Sequence, residues 1–167
     1  MEIRSQGIEN NKAKDKYGNR CESKYLIDEV PILSIPLDWD NVPIGTKSFA
    51  LTFIDYDNVV DEGVPWIHWI VADLSAQKRS LKENGSRMNT NLIQGTNSWS
   101  AAFEGYRKGK EITQYYGGPA PKNQHEYELE LFALDAKFDL KEGFFYNELR
   151  KKIDGHIIER AKLKFLY

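Results

Sequence analysis

A mostly-β domain of two packed sheets, with one amphipathic helix late in the chain, is the fold class this sequence predicts. Three observations predict it. Short apolar runs rich in aromatic and β-branched residues stand at 49–54 and 66–72. A run of alternating polarity stands at 125–134, and the one long stretch with helical spacing follows it, from 145 to 160. Short bounded apolar runs favour strands, and strands followed by a late helix favour packed sheets.

Residues 1–30 are polar and weakly patterned, with a turn at Asp15-Lys16-Tyr17-Gly18-Asn19. Leu33 to Leu37, bracketed by Pro31 and Pro36, reads as an extended edge segment. The first core strand is Phe49-Ala50-Leu51-Thr52-Phe53-Ile54, apolar on both faces and stopped by Asp55-Tyr56-Asp57. The second is Trp66-Ile67-His68-Trp69-Ile70-Val71-Ala72, which starts after Gly63-Val64-Pro65. In the third, His125, Tyr127, Leu129, Leu131 and Ala133 share one face. Glu126, Glu128 and Glu130 share the other, which should face water until Phe132 and Leu134 cover it. From Phe145 to Arg160, Leu149, Ile153 and Ile157 recur every four residues, the stripe of an amphipathic helix. Gly155 inside it costs about 1 kcal/mol relative to alanine and marks a bend or a close contact. Ala161, Leu163, Phe165 and Tyr167 return to period two and suit a closing strand.

The chain has 167 residues, which suits a single domain over 1–167 that buries roughly 70% of its unfolded surface. Apolar residues make up 41% and charged residues 29%, so the chain should fold. A net charge of −2 gives no basic face for nucleic acid. Cys21 is the lone cysteine, so no intrachain disulfide forms and a reducing, cytoplasmic setting is expected. No apolar signal-peptide core follows Met1, and no run approaches the ~20 apolar residues of a membrane span. Neither a metal-ligand spacing nor a Gly-x-Ser-x-Gly elbow is present, and Gly105 with Gly109-Lys110-Glu111 does not make a P-loop. No cofactor and no metal are called for.

Chemistry gathers at a few positions. Two of the three histidines, His68 and His125, fall on predicted core strands, where an unpartnered ring would cost about 1–3 kcal/mol. Each is equally read as a satisfied core histidine. Their company favours a site. His125 follows Tyr116-Gly117-Gly118-Pro119-Ala120-Pro121, and Tyr127 shares its face. Gly117 and Gly118 let a ligand approach the main chain, where successive N–H groups can bind an anion. Pro119 and Pro121 stiffen the turn. Asp55, at the end of the first strand, is placed to fix a histidine tautomer. A hairpin loop and a solvated acidic turn are the plainer alternatives.

These residues resemble a known family. Lys47-Ser48-Phe49-Ala50-Leu51, Asp55-Tyr56-Asp57, Trp66-Ile67-His68-Trp69, Gly117-Gly118-Pro119-Ala120-Pro121 and His125-Glu126-Tyr127 leading to Phe132-Ala133-Leu134-Asp135 follow in order. The set is similar to the phosphatidylethanolamine-binding (Raf kinase inhibitor-like) proteins, nearest the bacterial YbhB/YbcL-type branch. It covers roughly residues 30–167. The resemblance implies a Greek-key β-sandwich with a small surface pocket for phosphate or a phospholipid head group. Carried over, the pocket positions are Asp55, Trp66, His68, Gly118, Pro119, His125 and Tyr127; Gly117 and Pro121 join them from the turn. The chain departs from the family at Tyr56 and at Asn58-Val59-Val60, where prolines are usual, and in a 100–114 insertion that includes Tyr106-Arg107-Lys108-Gly109-Lys110.

The function expected is non-catalytic binding of a small anionic or phosphorylated ligand, with regulation of a protein partner as the wider role the resemblance implies. The ligand would lie on the Gly117 and Gly118 amides with His68 and His125 as donors. Two alternatives stand beside it. One is a phosphoester-directed acid–base enzyme using Asp55, His68, His125 and Tyr127, although Ser98 and Cys21 lack placed base partners in the sequence. The other is a partner-inhibitor acting through residues 100–114.

Overall fold

The computed structural model describes residues 1–89, 91–103 and 107–167. The strands are β1 (Glu2–Arg4), β2 (Ile8–Glu9), β3 (Lys12–Ala13), β4 (Leu26–Ile27), β5 (Val30–Pro31), β6 (Leu37–Asp40), β7 (Ser48–Asp55), β8 (Trp66–Ser75), β9 (Ser80–Leu81), β10 (Ile93–Gln94), β11 (Glu126–Leu134) and β12 (Ile157–Leu166). The helices are α1 (Asn58–Glu62), α2 (Gly85–Met88), α3 (Lys110–Thr113) and α4 (Tyr146–Ile153).

One sheet runs β10-β8-β7-β11-β12-β3-β2 and faces a smaller one, β1-β6-β9. All pairings are antiparallel except the single contact of β12 with β3. Within this sheet β7, β8 and β10 follow in chain order, with β9 of the small sheet between the last two, and β11 returns by a long connection to lie beside β7, which is a Greek key. The three predicted core strands are thus β7, β8 and β11, each within a few residues of its sequence bounds.

Alternation along these strands makes two cores. Phe49, Leu51, Phe53, Trp69, Val71, Tyr127, Leu129 and Leu131 face the small sheet, where Trp39 and Leu37 of β6 meet them. Ala50, Ile70, Ala72, Phe132 and Leu134 point the other way and are covered by Leu149 and Ile153 of α4. A strand covered on both faces needs apolar residues at every position, which explains the unbroken runs in β7 and β8.

Three expectations need correction. The helix ends at Ile153 instead of reaching Arg160, because Asp154 is extended and Gly155 adopts a left-handed φ of 76°. A Cβ on Gly155 would touch nothing, so it marks a reversal and no close contact. The closing strand accordingly starts at Ile157. Leu33–Pro36 carries no strand, although Leu33 and Ile35 are buried. The glutamate face of β11 is graded: Glu126 is exposed, whereas Glu130 is buried beside Lys162 and Arg160.

Candidate functional site

The site forms where β7 ends, β8 begins and β11 begins. Antiparallel register sets Asp55 opposite both Trp66 and Tyr127, so three strands deliver side chains to one end of the sheet. A cavity of about 150 Å³ opens there. Of the residues singled out in the sequence, Asp55, Trp66, His68, Gly118, Pro121 and Tyr127 line it, whereas Gly117, Pro119 and His125 are not among its lining residues.

Asp55 is the hub. One carboxylate oxygen accepts from His125 Nδ1 at 2.8 Å, and the other accepts from the Asn58 N–H at 2.9 Å. Tyr127, opposite it in register, brings its phenol into the same neighbourhood. Burial, reinforced by the Asp55 charge, raises the Tyr127 pKa far above the tyrosine range, so this hydroxyl keeps its proton. His125 Nε2 lies 3.4 Å from Asp61, so carboxylates flank the ring on two sides. Asp57 faces elsewhere and accepts from the Glu126 N–H at 2.8 Å, which ties the start of β11 to the end of β7.

His68 is held differently. Its Nδ1 donates to the Gly117 carbonyl at 2.7 Å, while the Gly117 N–H returns to the His68 carbonyl at 3.0 Å. Burial pushes its pKa down to about 4, against the opposing pull of Asp55. Phe53 and Tyr127 pack on the ring, with centroids at 4.9 and 5.3 Å. The carboxylate–imidazole pair is therefore Asp55–His125, and His68 stays neutral beside it.

Two expected roles fail. The Gly117 and Gly118 amides do not form an anion nest, because they donate to the carbonyls of His68 and Pro31. Both glycines are required for closeness: a Cβ on Gly117 would press on Trp99, and one on Gly118 would overlap the Tyr17 carbonyl. His68 is no donor to a ligand, since its one N–H is committed to Gly117. Pro119 is buried behind the wall, its carbonyl accepting from the Asn19 N–H at 2.8 Å.

Other wall residues went unnoticed in the sequence. Asn58, Asp61 and Glu62 come from α1, which ends at Gly63 with φ 78°. Trp99, edge-on to Trp66 at 5.2 Å, and Lys122 complete the wall. The acidic Asp61-Glu62 pair was the available signal. A second depression of about 390 Å³ shares Pro121 and Lys122 and is lined by Lys12 and Arg20. Among the described residues, none from 100–114 lines the first cavity. That stretch carries α3, whose Ile112 is buried, and Lys108 pairs with Asp28 at 2.6 Å; Gly105 and Tyr106 lie outside the described residues.

Among the described residues, neither Ser98 nor Cys21 is hydrogen-bonded to a basic side chain. Ser98 Oγ accepts from the Ile67 N–H at 2.9 Å. The Cys21 thiol is raised in pKa by burial, and its nearest hydrogen-bond partner is the Tyr25 carbonyl at 3.9 Å. Among the described residues, no helix is long and apolar enough to cross a membrane.

Comparison with known proteins places this geometry. The family described as phosphatidylethanolamine-binding protein matches residues 8–167, which extends the sequence resemblance into the N-terminal strands. An uncharacterized protein of Bacillus subtilis, YxkA, is 38% identical over 153 residues, covering 91% of each chain. A crystal structure described as a putative phosphatidylethanolamine-binding protein homolog, CT736 of Chlamydia trachomatis, superposes with a TM-score of 0.77 at 28% identity, covering 99% of this chain and 95% of that one. Escherichia coli YbcL, at 23% identity, shares the fold with a TM-score of 0.76 over 99% of this chain and 96% of its own.

Proposed function

The chain belongs to the phosphatidylethanolamine-binding protein family, in its YbhB/YbcL-type branch, and from that premise we propose that it is a non-catalytic binding module for phosphate or a small phosphorylated molecule. The observation that carries this reading is the Asp55–His125 pair, whose carboxylate lines a cavity of about 150 Å³ with the imidazole bonded behind it. Drug-sized ligands need about 300 Å³ or more, so this cavity suits a head group and leaves acyl chains outside. Lys122 in the wall, with Lys12 and Arg20 in the adjoining depression, supplies the positive charge that an anionic ligand meets on entry.

Three features support binding over turnover. The His68 N–H is held by a carbonyl, Ser98 Oγ is held by a backbone amide, and Cys21 is kept as a thiol. A nucleophile next to a placed base is what covalent catalysis requires. The lone Cys21, with no second thiol to pair with, suits a reducing, cytoplasmic location.

The test is a titration of isotope-labelled protein with inorganic phosphate and phosphoethanolamine, followed by amide and ring NMR signals. Saturable shifts should concentrate at Asp55, His68, His125 and Tyr127. Asp55→Asn and His125→Ala should each weaken binding about tenfold or more while leaving the spectrum folded, since each removes a buried charge-assisted hydrogen bond. Unchanged affinity in both variants would overturn the assignment.

A further inference from the structure

We propose, building on the phosphate reading, that the ligand group against β8 must offer a hydrogen to His68 Nε2. The cavity then takes a phosphate that still carries a proton, either inorganic phosphate or a monoester, and turns away sulfate and phosphodiesters that have no other hydrogen to donate.

The argument starts from a tautomer. A carbonyl oxygen accepts only, so the 2.7 Å contact between His68 Nδ1 and the Gly117 oxygen puts the ring hydrogen on Nδ1. The ring is 4% exposed, and burial keeps it neutral, with its pKa near 4. At neutral pH Nε2 is therefore a bare lone pair. Nδ1 is turned to Gly117, so in this cavity-lining residue Nε2, itself buried, is the ring nitrogen left for a ligand to meet. Among the described residues Nε2 has no hydrogen-bond partner. A buried acceptor of this kind is satisfied only by a donor.

The surrounding charges point the same way. Asp55 from β7, Asp61 and Glu62 from α1, and Tyr127 from β11 face the cavity with His125 alongside, and Lys122 is the one lysine in the wall. A ligand without a proton would set its own lone pairs against Nε2 and against the carboxylates. A phosphate with one P–OH donates there and keeps a negative charge for Lys122. Phosphomonoesters lose their second proton near pH 6, so the monoanion is abundant around and below that pH. Sulfate and simple dialkyl phosphates have no proton to offer.

The experiment uses the whole chain at pH 6 and measures affinity for inorganic phosphate, methyl phosphate, dimethyl phosphate, sulfate and ethanolamine. Inorganic phosphate and methyl phosphate should bind about tenfold or more tightly than dimethyl phosphate and sulfate, the effect of one buried hydrogen bond to a charged group. Equal affinity for all four anions overturns the proposal and leaves the phosphate reading standing. Binding of ethanolamine but no anion, or no binding at all, overturns both. Nitrogen NMR of the His68 ring should report Nδ1–H and a bare Nε2 whose signal moves when methyl phosphate is added; a protonated Nε2 overturns the proposal even with no variant made. His68→Phe should lower methyl phosphate affinity to that of dimethyl phosphate, and a retained preference in that variant would refute the role of Nε2.

Discussion

A buried neutral histidine carries a pH signature. The unfolded His68 titrates near 6.5 and the folded one near 4, so the unfolded chain binds the extra proton between those values. Its stabilising contribution is complete above pH 6.5 and is lost as pH falls toward 4, by about 3 kcal/mol over the window. Urea unfolding at pH 7, 5.5 and 4.5 should show this loss, and His68→Gln, which does not titrate, should flatten it. Gly118 sets a second test at this scale. Gly118→Ala should destabilise by about 2 kcal/mol or more, because a rigid backbone carbonyl stands where the Cβ would be; thermal melts check it. The residues of the site were legible to different degrees. Asp55, His68 and Tyr127 lie at or near strand ends with a readable period of two, so their common destination follows from the pattern. Asp61, Glu62, Trp99 and Lys122 arrive from a short helix and from irregular segments, where no periodicity reports direction. The turn glycines were recognised, yet their purpose was misread: sequence shows that a Cβ is absent without showing what fills its place.

At the scale of elements, the error in the helix has a physical cause. A spacing of four is compatible with both the helical period and the strand period, so Leu149, Ile153 and Ile157 look helical although Ile157 already belongs to β12. Gly155 decides the matter through its left-handed φ. Gly155→Ala should therefore cost about 1 kcal/mol from backbone strain alone, and Gly155→Asn less, as read by chemical denaturation. On β11, burial raises the Glu130 pKa, and its nearest cations, on Arg160 and Lys162, stand off at 3.8 and 3.9 Å. Long ion pairs do not offset desolvation. Glu130→Gln should leave stability at pH 7 unchanged or raise it, again by denaturant titration; a loss of more than about 1 kcal/mol would show that the pairing outweighs the burial.

For the whole molecule, the strand order determines where the fold opens last. β7 lies between β8 and β11, paired along most of its length, and all three strands feed both cores. Amide hydrogen exchange should be slowest in these three strands and faster in β1–β3, which are two or three residues long. The ligand site is built at the ends of the slowest elements, so Asp55 and Tyr127 are held by the most persistent part of the chain. The margins of the large sheet have another consequence. β10 and β2, its outermost members, have two residues each, but β12 has ten and meets β3 only at Leu166. Among the described residues, most of that edge of β12 therefore has no strand partner, and Arg160, Lys162 and Lys164 lie on this strand. Edge charges of this kind hinder self-association. A chain with Lys162 and Lys164 both replaced by valine should fold as before and then polymerise strand to strand, with light scattering rising with concentration.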